Sequence, residues 1–253
     1  MNHLDFKVDD ILNSENPIEP ESHSSDQLIV EIAGVAELPT RYGLFHIFAF
    51  YNNKDGKEHA ALVRGKVEYA ENVPVRVHSE CLTGDVLGSL RCDCREQLET
   101  ALSLLGQLDK GILLYMRQEG RGIGLVNKIR AYGLQEQGYD TVEANLALGF
   151  RDDEREYSIA ACMLKALKVR SIDLMTNNPR KIDDIARHGI HVNSRIPHIM
   201  QPNKYNRYYL ETKATKSGHM LEFPDGKRLE KAHNQSFFGG TAKRLFRVLS
   251  PGD

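Results

Sequence analysis

The rhythm of apolar residues changes at Cys94, and this change limits the folds open to the chain more than any other feature. Before it, residues 28 to 77 read as short β segments. Leu28 to Val35 is apolar and partly alternating, Pro39 and Gly43 punctuate a turn, and Leu44 to Tyr51 is rich in aromatics. Asn52-Asn53-Lys54-Asp55-Gly56 is a turn signal ahead of Ala60 to Val63. Strands this short and close together are expected to pair antiparallel. After Cys94, Leu98, Ala101, Leu102 and Leu105 recur at helical spacing, and Gly111 to Met116 is a buried-strand run. Val126 to Gln137 and Tyr157 to Leu167 read as helices, and Ser171 to Met175 as a strand. Pro179 to His188 is a helix with Pro near its start and Gly189 just past its end. The expected fold is α/β: a mixed sheet with antiparallel N-terminal strands and flanking helices.

Composition bounds the rest. With 253 residues and a net charge of -2, the chain has room for one large domain or two small ones and lacks the basic excess of an unspecific nucleic-acid binder. No apolar run approaches the roughly 20 residues that span a bilayer, and the acidic start does not read as a secretory signal. A cytoplasmic protein without a membrane partner is expected. Residues 1–26 read as a disordered acidic tail, 27–221 as the catalytic domain and 222–253 as a peripheral extension.

Three of the four cysteines, Cys81, Cys92 and Cys94, fall within fourteen positions among polar residues. Cys92 and Cys94 are too close to pair easily as a disulfide. As thiolates the three can hold one soft cation, zinc by default, with a fourth position left for water. Three ordinary core thiols are the plain alternative. Cys162, between Ala161 and Met163, reads as a packed core thiol.

Three further segments carry polar chemistry. Arg117-Gln-Glu-Gly-Arg-Gly-Ile-Gly-Leu125 combines glycines and cations between a strand and a helix, which suits a polyphosphate or simply a turn that needs glycine. In Gly149 to Tyr157, Asp152 or Asp153 can cap the next helix. Arg155 would then face the positive end of the helix dipole, a local rule broken without evident gain. Thr176-Asn-Asn-Pro-Arg-Lys181 joins a strand end to a helix start, where open α/β sheets bind ligands and where asparagine also caps helices.

Together these pieces resemble the GTP cyclohydrolase II family. The matching stretches are Arg76 to Asp85, Ser89 to Cys94, Arg117 to Arg121, Asn127 to Tyr132, Gly138 to Asn145, Asp153 to Arg155 and Thr176 to Pro179, with Tyr209 to Lys213 and Gly218-His219 near the end. They run in order over roughly residues 30 to 221. The resemblance implies a zinc enzyme of riboflavin synthesis that opens the imidazole ring of GTP, releasing formate from C8 and pyrophosphate. It implies one Zn2+ per subunit on Cys81, Cys92 and Cys94, and Mg2+ with the triphosphate. Asp153 takes the part of proton acceptor, Arg155 that of nucleophile in phosphate chemistry, and Tyr132 a place near the ring. Arg76, Val77, His78, Ser79, Glu80, Gln97, Glu119, Gly120, Arg121, Thr141, Thr176 and Lys181 contact GTP. A homodimer is implied as well. Guanidinium stays protonated in proteins, so electrostatic stabilisation of phosphoryl transfer is the easier account of Arg155.

Two other readings compete. His78-Ser-Glu80 matches half of the zinc deaminase signature, but Arg-Cys-Asp-Cys replaces its P-C-x-x-C half. The other is a nucleotide-binding module with structural zinc and no turnover, which a fourth protein ligand would favour.

Overall fold

The computed structural model describes residues 27–216 together with Gly218 and Met220. The expected tail (1–26) and extension (222–253) lie outside the described residues, as does His219. One seven-stranded sheet runs in the order β1-β2-β3-β5-β4-β6-β7. β1 (Val30–Thr40), β2 (Gly43–Asn52) and β3 (His59–Arg64) form an antiparallel meander, and β3 pairs antiparallel with β5 (Gly111–Met116). β4 (Val73–Ser79) lies parallel to both β5 and β6 (Ser171–Met175), and β6 lies parallel to β7 (His191–Ile196). The sheet is mixed, with helices packed on it, as the change of rhythm at Cys94 implies.

The antiparallel expectation fails for β4, most of which falls inside the 28 to 77 stretch. The next helix sets its direction. Helix α1 (Cys94–Gln107) carries the chain back to the start of β5, and such a crossover makes the two strands parallel. Pro39 also lies inside β1, paired with Leu44, and not in the turn. β1 is an edge strand, where a residue without an N–H is tolerated.

Helices α2 (Gly124–Glu136), α3 (Thr141–Ala147), α4 (Ser158–Ala166), α5 (Pro179–Arg187) and α6 (Arg207–Lys216) complete the described fold. α3, β7 and α6 have no counterpart in the periodicity. Alternation across the strands divides the core. Val73, Val75 and Val77 of β4 and Ile112, Leu114 and Met116 of β5 join Ile159, Met163 and Leu164 of α4 in the larger cluster. Leu113 faces the other way, toward Ala101 and Leu105 of α1. On that α1 side β4 carries Arg76 and His78 where a buried strand would hold aliphatics. Both are buried.

Candidate active site

Most of the polar residues singled out above gather at the carboxyl ends of β5, β4 and β6, the edge where open α/β sheets bind ligands. Directly after β4 the chain makes one wide turn, Leu82–Val86, and then enters α1. Cys81 caps that turn, with the Gly84 N–H donating to its Sγ, and Cys94 opens α1. This brings the sulfurs of Cys81, Cys92 and Cys94 within 4.8 Å of one another. Cys81 and Cys92 are 3.7 Å apart, close to the ~3.8 Å that 2.3 Å bonds to a tetrahedral ion imply. Gly84 makes room for the cluster: a Cβ there would lie 2.9 Å from Cys92 Sγ and 3.2 Å from Cys81 Sγ.

Charge in this cluster is unevenly held. Hydrogen bonds from Cys92 and Cys94, with the nearby Lys128 charge, draw the Cys81 thiol far down. The bond to Cys81, then burial, pushes Cys92 up to about 11, and the same neighbours push Cys94 well above the usual thiol range. Three bare thiolates do not coexist here, whereas a divalent soft cation would stabilise all three. The donor set therefore fits such an ion.

Around the sulfurs stands a buried polar network. His78 Nε2 lies 3.0 Å from Asp85 Oδ2, which also accepts from the Tyr115 hydroxyl at 2.9 Å and the Cys81 N–H at 3.0 Å. Burial lowers the His78 pKa, against the opposing pull of Asp85. Glu119 bonds the Leu82 N–H at 2.7 Å and Lys128 Nζ at 2.7 Å. Lys128 in turn reaches Cys81 Sγ at 3.1 Å. The Tyr132 hydroxyl is 3.4 Å from Thr83, and burial raises its pKa to about 12.

A second group is rich in arginine. Arg76 donates to the Met175 carbonyl at 2.9 Å and to Gln97 at 2.5 Å. Burial lowers its pKa to about 10, still a cation at neutral pH. Arg155 forms a two-pronged pair with Asp153 (2.8 and 2.5 Å) and reaches Ser79 Oγ at 3.3 Å. Burial opposes both charges of this pair, but each partner outweighs it. Asp153 sits at about 2, and Arg155 rises above its ordinary value, with Tyr157 contributing. Arg121 pairs with Asp152 at 2.5 Å. Gly120, Arg121, Gly122 and Gly124 all have positive φ, so the 119–124 loop needs its glycines. A Cβ at Gly122 would lie 3.1 Å from Glu154 Cβ, and the Glu154 N–H donates to the Arg121 carbonyl.

This packing overturns one expectation. Residues 151–157 do not begin a helix: α4 starts at Ser158 with Tyr157 as its N-cap. Asp152 and Asp153 therefore do not cap α4, and Arg155 lies before its first turn, not in it. Its cationic position is explained instead by Asp153.

Other residues take plainer places. The Val77 side chain is in the core, so only its backbone is open to a ligand, and its carbonyl already accepts from Lys181 Nζ at 2.7 Å. The Thr176 hydroxyl accepts from the Asn178 N–H, and Asn178 caps α5, as the bland reading of that segment has it. Glu80 pairs with Arg117 at 3.4 Å. Thr141 opens α3, and no hydrogen bond joins it to the other candidates among the described residues. Four buried polar atoms lack partners among the described residues: Arg76 Nε, His78 Nδ1, Gln118 Oε1 and the Tyr157 hydroxyl. Two are on β4, one is in the loop after β5, and the fourth belongs to the ring under Lys181. Orphaned buried polar groups are costly, and their gathering here marks a site shaped for a ligand.

Asp85, Tyr115 and Lys128 belong to this network, as do Asp93, which accepts from the Gln97 side-chain amide, and His198, which bonds the Gln97 carbonyl; none was singled out by sequence reasoning. Lys128 left one signal: it shares the buried face of α2 with Ala131, three positions on.

The GTP cyclohydrolase II family pattern matches residues 31–197. Over 193 residues the chain is 53% identical to GTP cyclohydrolase-2 of Picrophilus torridus, covering 76% of this chain and all of that one. It is 55% identical over 192 residues to GTP cyclohydrolase-2 of Tolumonas auensis, covering 76% of this chain and 98% of that one. The riboflavin biosynthesis protein RibBA of Bacillus subtilis is 55% identical over 187 residues, 74% of this chain, which spans only 47% of that protein. With the family pattern matched from the first strand to the last and the two GTP cyclohydrolase-2 relatives aligned over nearly their full length, this chain belongs to the GTP cyclohydrolase II family.

Proposed function

We propose that the chain opens the imidazole ring of GTP and cleaves its triphosphate. The products are formate, pyrophosphate and a diaminopyrimidinone ribosylamino phosphate, at the entry to riboflavin synthesis. The observation that carries this reading is the juxtaposition at the end of β4. Ser79 touches Arg155, and two positions later Cys81 belongs to the sulfur cluster. Two extended residues span about 7 Å, so a sulfur-held ion and a cationic pocket lie within the reach of one nucleotide.

In this reading Cys81, Cys92 and Cys94 hold Zn2+. When bound, the ion would supply an activated water for attack at C8. The chain's own groups do the rest. Arg76, Arg121 and Arg155 offer positive charge to the phosphates, with Mg2+ accompanying them. Asp153, ionised at any working pH, orients Arg155 more readily than it accepts a proton. Arg155, held as a cation, stabilises charge more readily than it attacks phosphorus. His78 and Gln97 are assigned to the base, and Lys181 and Thr176 to further contacts with the nucleotide. Residues 27–221 form the catalytic domain, working as a homodimer.

The test is product analysis with GTP as the sole substrate. Formate and pyrophosphate in equal amounts are expected. Ammonia would favour a deaminase, and absence of any product would leave a binding module.

A further inference from the structure

The ammonium of Lys128 is buried beside the cysteine cluster, and nothing in the reaction above uses it. It projects from α2 and bonds Cys81 Sγ at 3.1 Å and Glu119 Oε1 at 2.7 Å. Glu119 is fully committed in turn. Oε1 also accepts from the Gly120 N–H at 2.7 Å, and Oε2 accepts from the N–H of Leu82, the neighbour of Cys81. One carboxylate and one ammonium thus tie together three elements: the cysteine turn, the strained 119–124 loop and α2. Tyr132 lies one turn further along α2, its ring 5.8 Å from the ammonium.

We propose that Lys128 is a positioning residue that couples the three-cysteine centre to the 119–124 loop, so that metal and nucleotide each strengthen binding of the other. The proposal rests on the zinc reading above. A sulfur that accepts an N–H bond is held in place and sheds charge density to the donor, as outer partners of metal ligands do. The same ammonium fixes the Glu119 carboxylate, whose bond to Gly120 holds the loop backbone at its positive φ. Displacing the Cys81 sulfur therefore displaces the loop, and ordering the loop preorganises the sulfur. Coupling of this kind is reciprocal.

The experiment uses the full chain with Co2+, whose thiolate charge-transfer bands report the sulfurs directly. The nucleotide probe is 7-deaza-GTP with a methylene group bridging its α and β phosphorus atoms, used with excess Mg2+: its ring lacks N7, whose bond to C8 ring opening breaks, and its triphosphate resists cleavage. In the parent protein, Co2+ should tighten binding of this analogue, and the nucleotide should tighten Co2+ binding by the same factor. Lys128→Met should lower Co2+ affinity about 10–100-fold in a chelator competition, shift the charge-transfer band and abolish the mutual tightening. Lys128→Arg should restore part of all three. If Lys128→Met fails to fold, Glu119→Gln is measured in its place and should weaken the tightening while leaving the band in position. A folded Lys128→Met protein with unchanged Co2+ affinity, spectrum and tightening overturns the proposal. A parent protein without thiolate bands overturns the zinc reading itself, which keeps the two failures apart.

Discussion

At the scale of single residues, the proposed function gives the cysteines and Arg155 different halves of the chemistry. In that proposal ring opening draws on a metal-activated water at the base, and triphosphate cleavage on fixed positive charge. Cys92→Ser removes one of three sulfurs and should abolish formate release while the fold, followed by circular dichroism, persists. Metal-free protein that still releases formate at the normal rate would refute the metal account. Arg155 is the sharper case. Its two-pronged bond to Asp153 and its contact with Ser79 fix the guanidinium in one place. If phosphate cleavage comes first, holding the nucleotide so that C8 meets the centre, Arg155→Ala should lose both products by about 10²–10³-fold. Ring-opened material still carrying its triphosphate, formed at the parent rate, would show that the order is wrong. The cysteines were legible because metal ligation needs particular residue types at short spacing. The surroundings of Arg155 were not: Asp-Asp-Glu-Arg reads locally as a capped helix start. A distant carbonyl, that of Arg121, takes the Glu154 N–H, and Arg151 bonds the Glu154 side chain.

At the scale of elements, the turn 82–86 and the loop 119–124 are the parts whose shape the site cannot do without. Gly84 shows why. Its missing side chain leaves the space that the sulfurs of Cys81 and Cys92 fill. Gly84→Ala should cost about 1–3 kcal/mol of stability, as overpacking does, and should weaken metal binding more than it lowers the melting temperature. Unchanged metal affinity in a Gly84→Ala protein would mean that the turn is more pliant than its contacts imply. The elements themselves were readable where periodicity was strong, as in α1, β5 and α4. β7 and α6 lack it: half of His191–Ile196 is exposed at a sheet edge and none of it is fully buried, and Arg207–Lys216 carries few large apolar residues. The direction of β4 depends on a crossover beyond it, which no window of strand residues contains. Lys128 was hidden for a related reason. A lysine in a helix reads as solvated until the fold shows which face is covered.

At the scale of the whole molecule, the family pattern ends at residue 197, and α6 stands beyond it. α6 nevertheless touches the site elements: Lys216 pairs with Asp140 at the start of α3, and the Tyr209 ring lies 5.9 Å from Arg121. A chain of residues 27–221 keeps all of this and should fold and turn over GTP. Complete loss of activity in that folded protein would show that a flank completes the site. Acid stability tests the network as a unit. His198 bonds the Gln97 carbonyl at 2.8 Å, and burial, then the Arg76 charge, lowers its pKa from 6.5 to about 4. The unfolded chain therefore binds the extra proton first as pH falls. Above pH 6.5 His198 carries no penalty, and between 6.5 and about 4 folding loses about 3 kcal/mol. Burial lowers His59 in the same direction. Asp153 acts lower on the scale: its ion pair stabilises the fold above 3.8, and that gain disappears as pH falls toward 2. The melting temperature should thus be level near neutrality, fall below about pH 6.5, and fall again below about pH 4. Protons also compete with metal for the sulfurs, so the decisive comparison is His198→Gln against the parent at equal metal loading. The variant should lose much of the first decline, and an identical decline in both proteins would remove His198 from the account.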